Sequence, residues 1–110
     1  MDKHLVSSLD ALSQRQKIRV QINNRAILVA YVNGSVYAIQ DKCPHLGASL
    51  YTGTISGDII TCKEHKLAIS LKDGLITDRE KAKFLRMDAD STGVRTFVTS
   101  VENGNVYVFV

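Results

Sequence analysis

The side chains best suited to chemistry in this chain are its cysteines and histidines, which are scarce and occur in pairs. The 110 residues include two cysteines and three histidines. Cys43 stands two positions before His45 and, after sixteen further residues, Cys62 stands three positions before His65. Two thiolates and two imidazoles form a four-ligand set, which suits one tetrahedral zinc ion or an iron-sulfur cluster with two protein ligands on each of two irons. The pattern predicts a metal centre and leaves both metals open.

The short spacing within each pair predicts that one tight loop presents both of its ligands. Ordering two loops then places four donors, so the entropy cost is shared. Pro44, the only proline, lies inside the first pair and stiffens that loop. The third histidine, His4, lies outside the pattern, and we assign it no role.

Short strands joined by tight turns surround these pairs. Four turn signals divide the chain: Asn33-Gly34, Gly57-Asp58, Asp73-Gly74 and Asn103-Gly104. The strand pairs that they predict cover residues 17–39, 53–62, 66–77 and 94–110. Asn-Gly favours the two-residue type I′ turn of a hairpin, because it supplies the positive φ that both central positions need.

Helix is predicted only in two short pieces. One lies within residues 7–14, with Ser7 or Ser8 as its cap, and the other is part of 77–87, where a charged loop is the alternative. The fold class is therefore all-β: an antiparallel β-sandwich or partly open barrel, with small hairpins and two ligand loops inserted at about residues 41–77. We expect residues 1–110 to form a single domain.

Composition and charge exclude several classes of protein. The net charge of +3 is small and aromatic content is 6%, which argues against nucleic-acid binding. No apolar run approaches the roughly 20 residues that cross a bilayer, and the amino terminus lacks the apolar run of a secretory signal. We therefore expect a soluble, cytoplasmic protein that does not bind membranes. A single disulfide is rare in that compartment, which favours metal or redox use of the cysteines.

The combined pattern CxH, sixteen residues and CxxH resembles the Rieske motif. The stretch VYAIQDKCPHLGASL is similar to the approach to the first ligand loop of that family. The likeness runs from SLDAL to the final strands and is strongest to free-standing bacterial Rieske-type ferredoxins. It implies a 2Fe-2S cluster in which Cys43 and Cys62 bind one iron and His45 and His65 bind the other.

The resemblance also implies a low reduction potential. High-potential respiratory members have a disulfide between the loops, and a serine and a tyrosine that donate hydrogen bonds to the cluster. This chain has no spare cysteine, and Leu67 and Ile69 stand at the matching positions. Rieske centres span about −150 to +300 mV, and we expect a value toward the negative end. Two further departures from the family are Lys66, where glycine commonly follows the second histidine, and segment 77–87, which lacks the prolines that often cover the cluster.

The function that follows is electron transfer. The sequence has no nucleotide-binding glycine loop, Ser/His/Asp set or paired-carboxylate site, so we expect a carrier rather than an enzyme. It would be a monomer that passes one electron from a flavin-dependent reductase to a terminal oxygenase, as in aromatic-ring dioxygenase systems. Lys42, Lys63 and Lys66 adjoin the ligands and predict a basic rim for an acidic partner. Two alternatives stay open: the small Rieske-like subunit of an assimilatory nitrite reductase, and a zinc site that holds two loops of an interaction module.

Overall fold

A computed structural model describes residues 1–88 and 91–110. In these ranges the chain forms ten strands, two short α-helices and one 3-10 turn. The strands are β1 (Lys3–Ser8), β2 (Lys17–Ile22), β3 (Arg25–Val32), β4 (Ser35–Gln40), β5 (Thr54–Ser56), β6 (Ile59–Thr61), β7 (Ala68–Ser70), β8 (Thr96–Phe97), β9 (Thr99–Glu102) and β10 (Asn105–Phe109). The helices are α1 (Leu9–Arg15) and α2 (Arg79–Phe84), and the 3-10 turn is Leu50–Thr52.

The strands form three antiparallel sheets. The order β2-β3-β4-β8 makes a four-stranded sheet, and β1-β10-β9 makes a three-stranded one. The third sheet, β5-β6-β7, is inserted in the chain between β4 and β8. All three sheets are open in the part of the chain that the structure describes. The predicted all-β fold with inserted small hairpins is confirmed.

Strand β3 is an inner strand of the four-stranded sheet, and both of its faces are buried. Leu28 and Ala30 face one way and pack in a cluster with residues of β6 and β7, such as Ile60. Ile27 and Val29 face the other way and pack in a second cluster that reaches β10 and α1. Adjacent residues of a strand point to opposite faces, so a run of four buried apolar residues is typical of a strand covered on both sides. The four-stranded sheet therefore separates the two apolar cores.

The predicted turns are found where the sequence placed them. Three of them are two-residue hairpin loops: Asn33-Gly34 between β3 and β4, Gly57-Asp58 between β5 and β6, and Asn103-Gly104 between β9 and β10. Both residues of each Asn-Gly pair have positive φ, which is the signature of a type I′ turn.

The fourth predicted turn, Asp73-Gly74, is also present, but the strand expected after it is reduced to one bridge between Ile69 and Ile76. Residues beyond the turn bond to a distant segment as well, since the Ile76 N–H donates to the Thr92 carbonyl at 2.7 Å. A Cβ at Gly93 would lie 1.9 Å from the Gly74 carbonyl oxygen. Only glycine allows this close approach of the Gly93 backbone to the turn.

In the first third of the chain the predicted short helix is confirmed, with Ser8 as its cap. The predicted strand pair needs correction, and strand β1 was not predicted. The segment 17–39 holds three strands instead of one hairpin, because Asn23 and Asn24 form an extra turn with φ of 50° and 62°. Asparagine tolerates this left-handed conformation better than most residues. Helix α1 begins at Leu9, one of its amides donating to Ser8 Oγ, and the residues before it form β1. That strand pairs with β10, so its partner is about a hundred residues away and leaves no local signal.

The charged segment 77–87 contains helix α2. Asp78 caps it, since its carboxylate accepts a hydrogen bond from the Lys81 N–H at 2.9 Å. Leu85 and Met87, which follow the helix, pack against the core cluster that contains both cysteines. Among the described residues, no helix combines the length and apolar content needed to cross a membrane.

Candidate metal centre

Ligand loop 1, residues 43–48, follows β4 and is closed by two backbone hydrogen bonds. The Cys43 N–H donates to the Ala48 carbonyl at 2.6 Å, and the Gly47 N–H donates to the Cys43 carbonyl at 2.8 Å. Gly47 has a φ of 79°, a conformation that glycine adopts without strain. The turn presents His45 near its tip and turns the Cys43 side chain into the core.

Ligand loop 2, residues 62–67, repeats the same frame. The Cys62 N–H donates to the Leu67 carbonyl at 2.8 Å, and the Lys66 N–H donates to the Cys62 carbonyl at 3.0 Å. Lys66 occupies the place of Gly47 and has a φ of 59°. A lysine therefore holds the left-handed conformation that glycine usually supplies, and the backbone of the loop is kept.

The two loops bring like ligands together. Cys43 and Cys62 are each 1% exposed and pack in the same core cluster, and the Cys62 thiol is near enough to raise the pKa of Cys43. The rings of His45 and His65 meet edge to face, with their centroids 4.4 Å apart. In the described part of the chain, no three His, Cys, Asp or Glu side chains converge closely enough to hold one metal ion. The site consists of two pairs, one of sulfur donors and one of nitrogen donors.

One nitrogen of the histidine pair, His45 Nδ1, lies in surroundings that suit a metal ligand. His45 Nδ1 is buried and makes no hydrogen bond, and the only other buried side-chain N or O atom without a partner among the described residues is His4 Nε2. A buried polar atom left unpaired costs free energy. A metal bond to Nδ1 would remove that cost, whereas His4 lies in β1 and belongs to neither loop.

Its surroundings hold the Cys43 thiol in the protonated form in the absence of a metal, because they raise its pKa. Burial is the main cause that raises the pKa of the Cys43 thiol to about 11; the neighbouring Cys62 thiol also acts to raise it, and the backbone amides of His45 and Leu46 act to lower it. Metal binding needs the thiolate and releases its proton. The same two amides are placed to donate hydrogen bonds to the thiolate when a metal holds it.

The loops are anchored differently. Loop 2 spans the gap between β6 and β7, whose last register pair before it is Thr61 with Ala68. Loop 1 does not connect the two strands of a hairpin. A side chain holds its ends together instead, because the Asp41 carboxylate before the loop accepts hydrogen bonds from Ser49 and from the Tyr51 N–H after it. Sequence reasoning did not find this role for Asp41, since an acidic residue next to a lysine gives no sign of burial.

The outer side of the site is partly open. Both histidines are half-buried, and a shallow depression beside His45 is lined by Leu46 and by residues 85–88. Leu46 is 71% exposed. The three lysines of the predicted rim, Lys42, Lys63 and Lys66, are exposed as well. Lys42 extends across loop 1, since its Cε lies 3.2 Å from the place where a Cβ on Gly47 would be.

Comparison with known proteins decides which metal group fits this site. The family model of the Rieske [2Fe-2S] domain matches residues 2–97. This chain belongs to the Rieske [2Fe-2S] domain family. A Rieske domain carries a 2Fe-2S cluster, so the iron-sulfur interpretation holds and the zinc alternative is not supported. The paired thiols, the paired imidazoles and the unpaired His45 Nδ1 fit that group, which takes two sulfur and two nitrogen ligands.

Curated relatives of this Rieske domain are diverse. It is 29% identical over 109 residues to cholesterol 7-desaturase from Hemicentrotus pulcherrimus, and the match covers 96% of this chain but 23% of the desaturase. It is 24% identical over 108 residues to a Rieske domain-containing protein from Homo sapiens, with 90% and 69% of the two chains covered. The chain thus spans about a quarter of the first of these relatives.

Solved structures extend the comparison along the whole chain. A chain in the complex of reduced oxygenase and oxidized ferredoxin in carbazole 1,9a-dioxygenase is 27% identical, with a TM-score of 0.78 and coverage of 96% of this Rieske domain and 91% of that chain. The ferredoxin of carbazole 1,9a-dioxygenase from Nocardioides aromaticivorans IC177 has the same fold, with a TM-score of 0.80, 22% identity and coverage of 98% and 97%.

Proposed function

We propose that this protein is an electron carrier whose 2Fe-2S cluster is held by Cys43 and Cys62 on one iron and by His45 and His65 on the other. The observation that carries this assignment is the sorting of the four side chains into a buried sulfur pair and an outer nitrogen pair. One Rieske cluster takes up and gives back one electron. The chain's own residues bind it, exclude water from its sulfur side and leave its histidine side near the surface.

The direct test of this proposal is the metal content. Protein purified without added metal should be red-brown, with about two irons and two acid-labile sulfides per chain, as the cluster type requires. A colourless protein with one zinc per chain would overturn the assignment. Zinc content and visible absorption are measured on the same sample, so the outcome separates the two metals.

The proposed electron path runs from a flavin-dependent reductase to a terminal oxygenase. Its support is the similarity to a chain from a carbazole 1,9a-dioxygenase complex of oxygenase and ferredoxin, which covers nearly all of both chains. A carrier of this kind needs only brief contact with each partner, which small interfaces allow. Stopped-flow mixing with a reductase and NADH should bleach the cluster by one electron per chain, and the reduced protein should be reoxidised by an oxygenase component.

We propose that the protein has no catalytic activity of its own and acts as a monomer in the cytoplasm. Sedimentation of the cluster-loaded protein at micromolar concentration should give the mass of one chain. A stable dimer would contradict the monomer.

The proposed potential is low, because the positions that would carry hydrogen-bonding side chains in high-potential relatives are apolar here. Leu67 and Ile69 are fully buried, and their side chains have no group that can donate a hydrogen bond to the cluster. Hydrogen bonds around an iron-sulfur cluster stabilise the added electron, so their loss lowers the potential. Redox titration should give a value toward the negative end of the family range, and a potential above about +200 mV would contradict the proposal.

A basic rim is the proposed docking feature. Lys42, Lys63 and Lys66 are exposed, whereas Asp41, the acidic neighbour that would offset Lys42, is buried and paired with Arg19. Exposed like charges around an electron-transfer edge raise the rate of encounter with an acidic surface at low salt.

Replacing the three rim lysines by glutamine should lower the association rate with the oxygenase and flatten its dependence on salt. Lys72→Gln is the matched control, since Lys72 is exposed at the end of β7 opposite loop 2. An association rate at low salt that is the same in the triple variant, the control and the wild type would rule the rim out.

A further inference from the structure

Asp41 is the only polar or charged residue that is buried in the described part of the chain. Its side chain has no exposed surface. An ionised carboxylate taken from water is strongly destabilising unless it is paired and hydrogen-bonded. Asp41 stands two residues before Cys43, which indicates that this buried charge has a role at the cluster site.

Three groups satisfy the carboxylate. Arg19 Nε donates to Oδ2 at 2.5 Å, and Ser49 Oγ donates to the same oxygen at 2.6 Å. The Tyr51 N–H donates to Oδ1 at 2.8 Å. Ser49 and Tyr51 follow ligand loop 1, whereas Asp41 precedes it. The carboxylate therefore ties the two ends of the loop together and fixes both of them to β2 through Arg19.

The backbone of Asp41 also lies close to that of the proposed ligand Cys43. Cα atoms two residues apart are separated by at most about 7.6 Å, so Asp41 is near the Cys43 ligand. Salt screens buried charges weakly. A negative charge here disfavours an added electron, and the positive charge of Arg19, whose side chain is 45% exposed, offsets part of that effect.

We propose that Asp41 is a positioning residue for the cluster, which holds Cys43 and His45 in place and, together with Arg19, sets the electrostatic potential at the cluster. The proposal rests on the proposed ligation by these two residues. Two consequences follow, and they separate position from charge. Replacing any member of the hydrogen-bond network around Asp41 should make the protein release its cluster faster. The reduction potential should instead rise when a negative charge is removed and fall when a positive charge is removed.

The experiment measures the reduction potential and the rate of cluster loss in three variants of the cluster-loaded protein. Asp41→Asn removes a negative charge and should raise the potential. Arg19→Gln removes a positive charge and should lower it. Ser49→Ala removes a neutral hydrogen bond and should leave the potential close to that of the wild type. Arg19→Gln and Ser49→Ala should each lose the cluster about threefold to tenfold faster, as expected for one hydrogen bond, and Asp41→Asn, which disturbs more than one, should lose it at least as fast.

The matched control is Glu102→Gln. Glu102 forms an exposed ion pair with Lys3 at 2.8 Å on the sheet that carries neither loop, so this change removes the same charge away from the network. The control should show the wild-type potential and the wild-type rate of cluster loss. Potentials of Asp41→Asn and Arg19→Gln that move in the same direction, or that match the control, would overturn the proposal.

If Asp41→Asn assembles no cluster, Arg19→Gln still decides the matter, because an unchanged or higher potential in that variant contradicts the proposed role of the pair. A wild-type protein that assembles no cluster contradicts the proposed function, and the role of Asp41 falls with it. A wild type with its cluster, beside variants that do not respond, contradicts the role of Asp41 alone.

Discussion

Ligand loops 1 and 2 each close six residues with the same two backbone hydrogen bonds, yet the rest of the chain supports them in different ways. Loop 2 is the connection of a hairpin and inherits its geometry from the β6-β7 ladder. Loop 1 depends on a buried side chain, Asp41, that bonds to residues beyond the loop. One backbone frame can thus be held by main-chain pairing or by a single carboxylate.

The loops also differ at two sequence positions within the shared frame. The histidine is the third residue of loop 1 and the fourth residue of loop 2, and the rings still meet. The fifth residue has positive φ in both loops but is Gly47 in one and Lys66 in the other. The frame is therefore set by its hydrogen bonds, and the residue types within it are less restricted.

The largest expected effect is loss of the cluster, which should be the same when the cysteine of either loop is replaced. Since each loop is proposed to give one ligand to each iron, Cys43→Ala and Cys62→Ala should both lose nearly all of the about two irons per chain that a cluster contains. Iron and sulfide analysis of the purified variants measures this. His4→Ala, outside both loops, should keep its cluster. If either cysteine variant kept a full cluster, the proposal that both loops supply a cysteine ligand would be contradicted.

A smaller effect should come from weakening the ladder beneath loop 2. Ile60 is fully buried in β6 opposite Ile69, and shortening a buried isoleucine to alanine lowers the free energy of unfolding by about 2–4 kcal/mol. Ile60→Ala should show this loss in urea denaturation and should release its cluster faster. Val101→Ala, at a position 46% exposed, should stay within about 0.5 kcal/mol of the wild type. A normal rate of cluster release in Ile60→Ala would mean that loop 2 does not depend on the ladder.

The smallest effect should come from exchanging the residue types at the fifth loop position. Gly47→Ala puts a side chain at positive φ and should lower the free energy of unfolding by about 1–2 kcal/mol. Lys66→Gly removes that strain, partly offset by the greater freedom of glycine in the unfolded chain, and should raise it by about 0.5 kcal/mol. Denaturation curves of the two variants should therefore shift in opposite directions. A loss of stability in Lys66→Gly would show that the lysine side chain itself supports loop 2.

Local signals made much of the fold predictable. Asn33-Gly34 and Asn103-Gly104 place hairpin turns because few other residue pairs adopt two positive φ values, and Ser8 marks the start of α1 by its capping oxygen. The Cys and His spacing predicted two short loops that carry these side chains for the same reason, and the structure brings the His45 and His65 rings together; ligation by the four side chains stays a prediction. These features depend on neighbours within a few residues.

Other features depend on distant partners and could not be predicted in the same way. Strand β1 exists because β10 pairs with it across nearly the whole chain. The turn at Asn23-Asn24 gave a weaker signal than Asn-Gly, because both of its positions have positive φ and glycine, which adopts that conformation without strain, is absent. Asp41 looks like a surface residue in sequence, and its role appears only when Arg19, Ser49 and Tyr51 are brought around it.

In the proposed cluster, two histidines share one iron and two cysteines share the other. Pulsed EPR of the reduced protein, labelled with ¹⁵N at histidine, tests it most directly. We predict two strongly coupled histidine nitrogens in the wild type, and the loss of one coupled nitrogen, or of the whole cluster, in His45→Cys and in His65→Cys. A reduced cluster without strongly coupled histidine nitrogen, or with couplings that survive both substitutions, would contradict the claim.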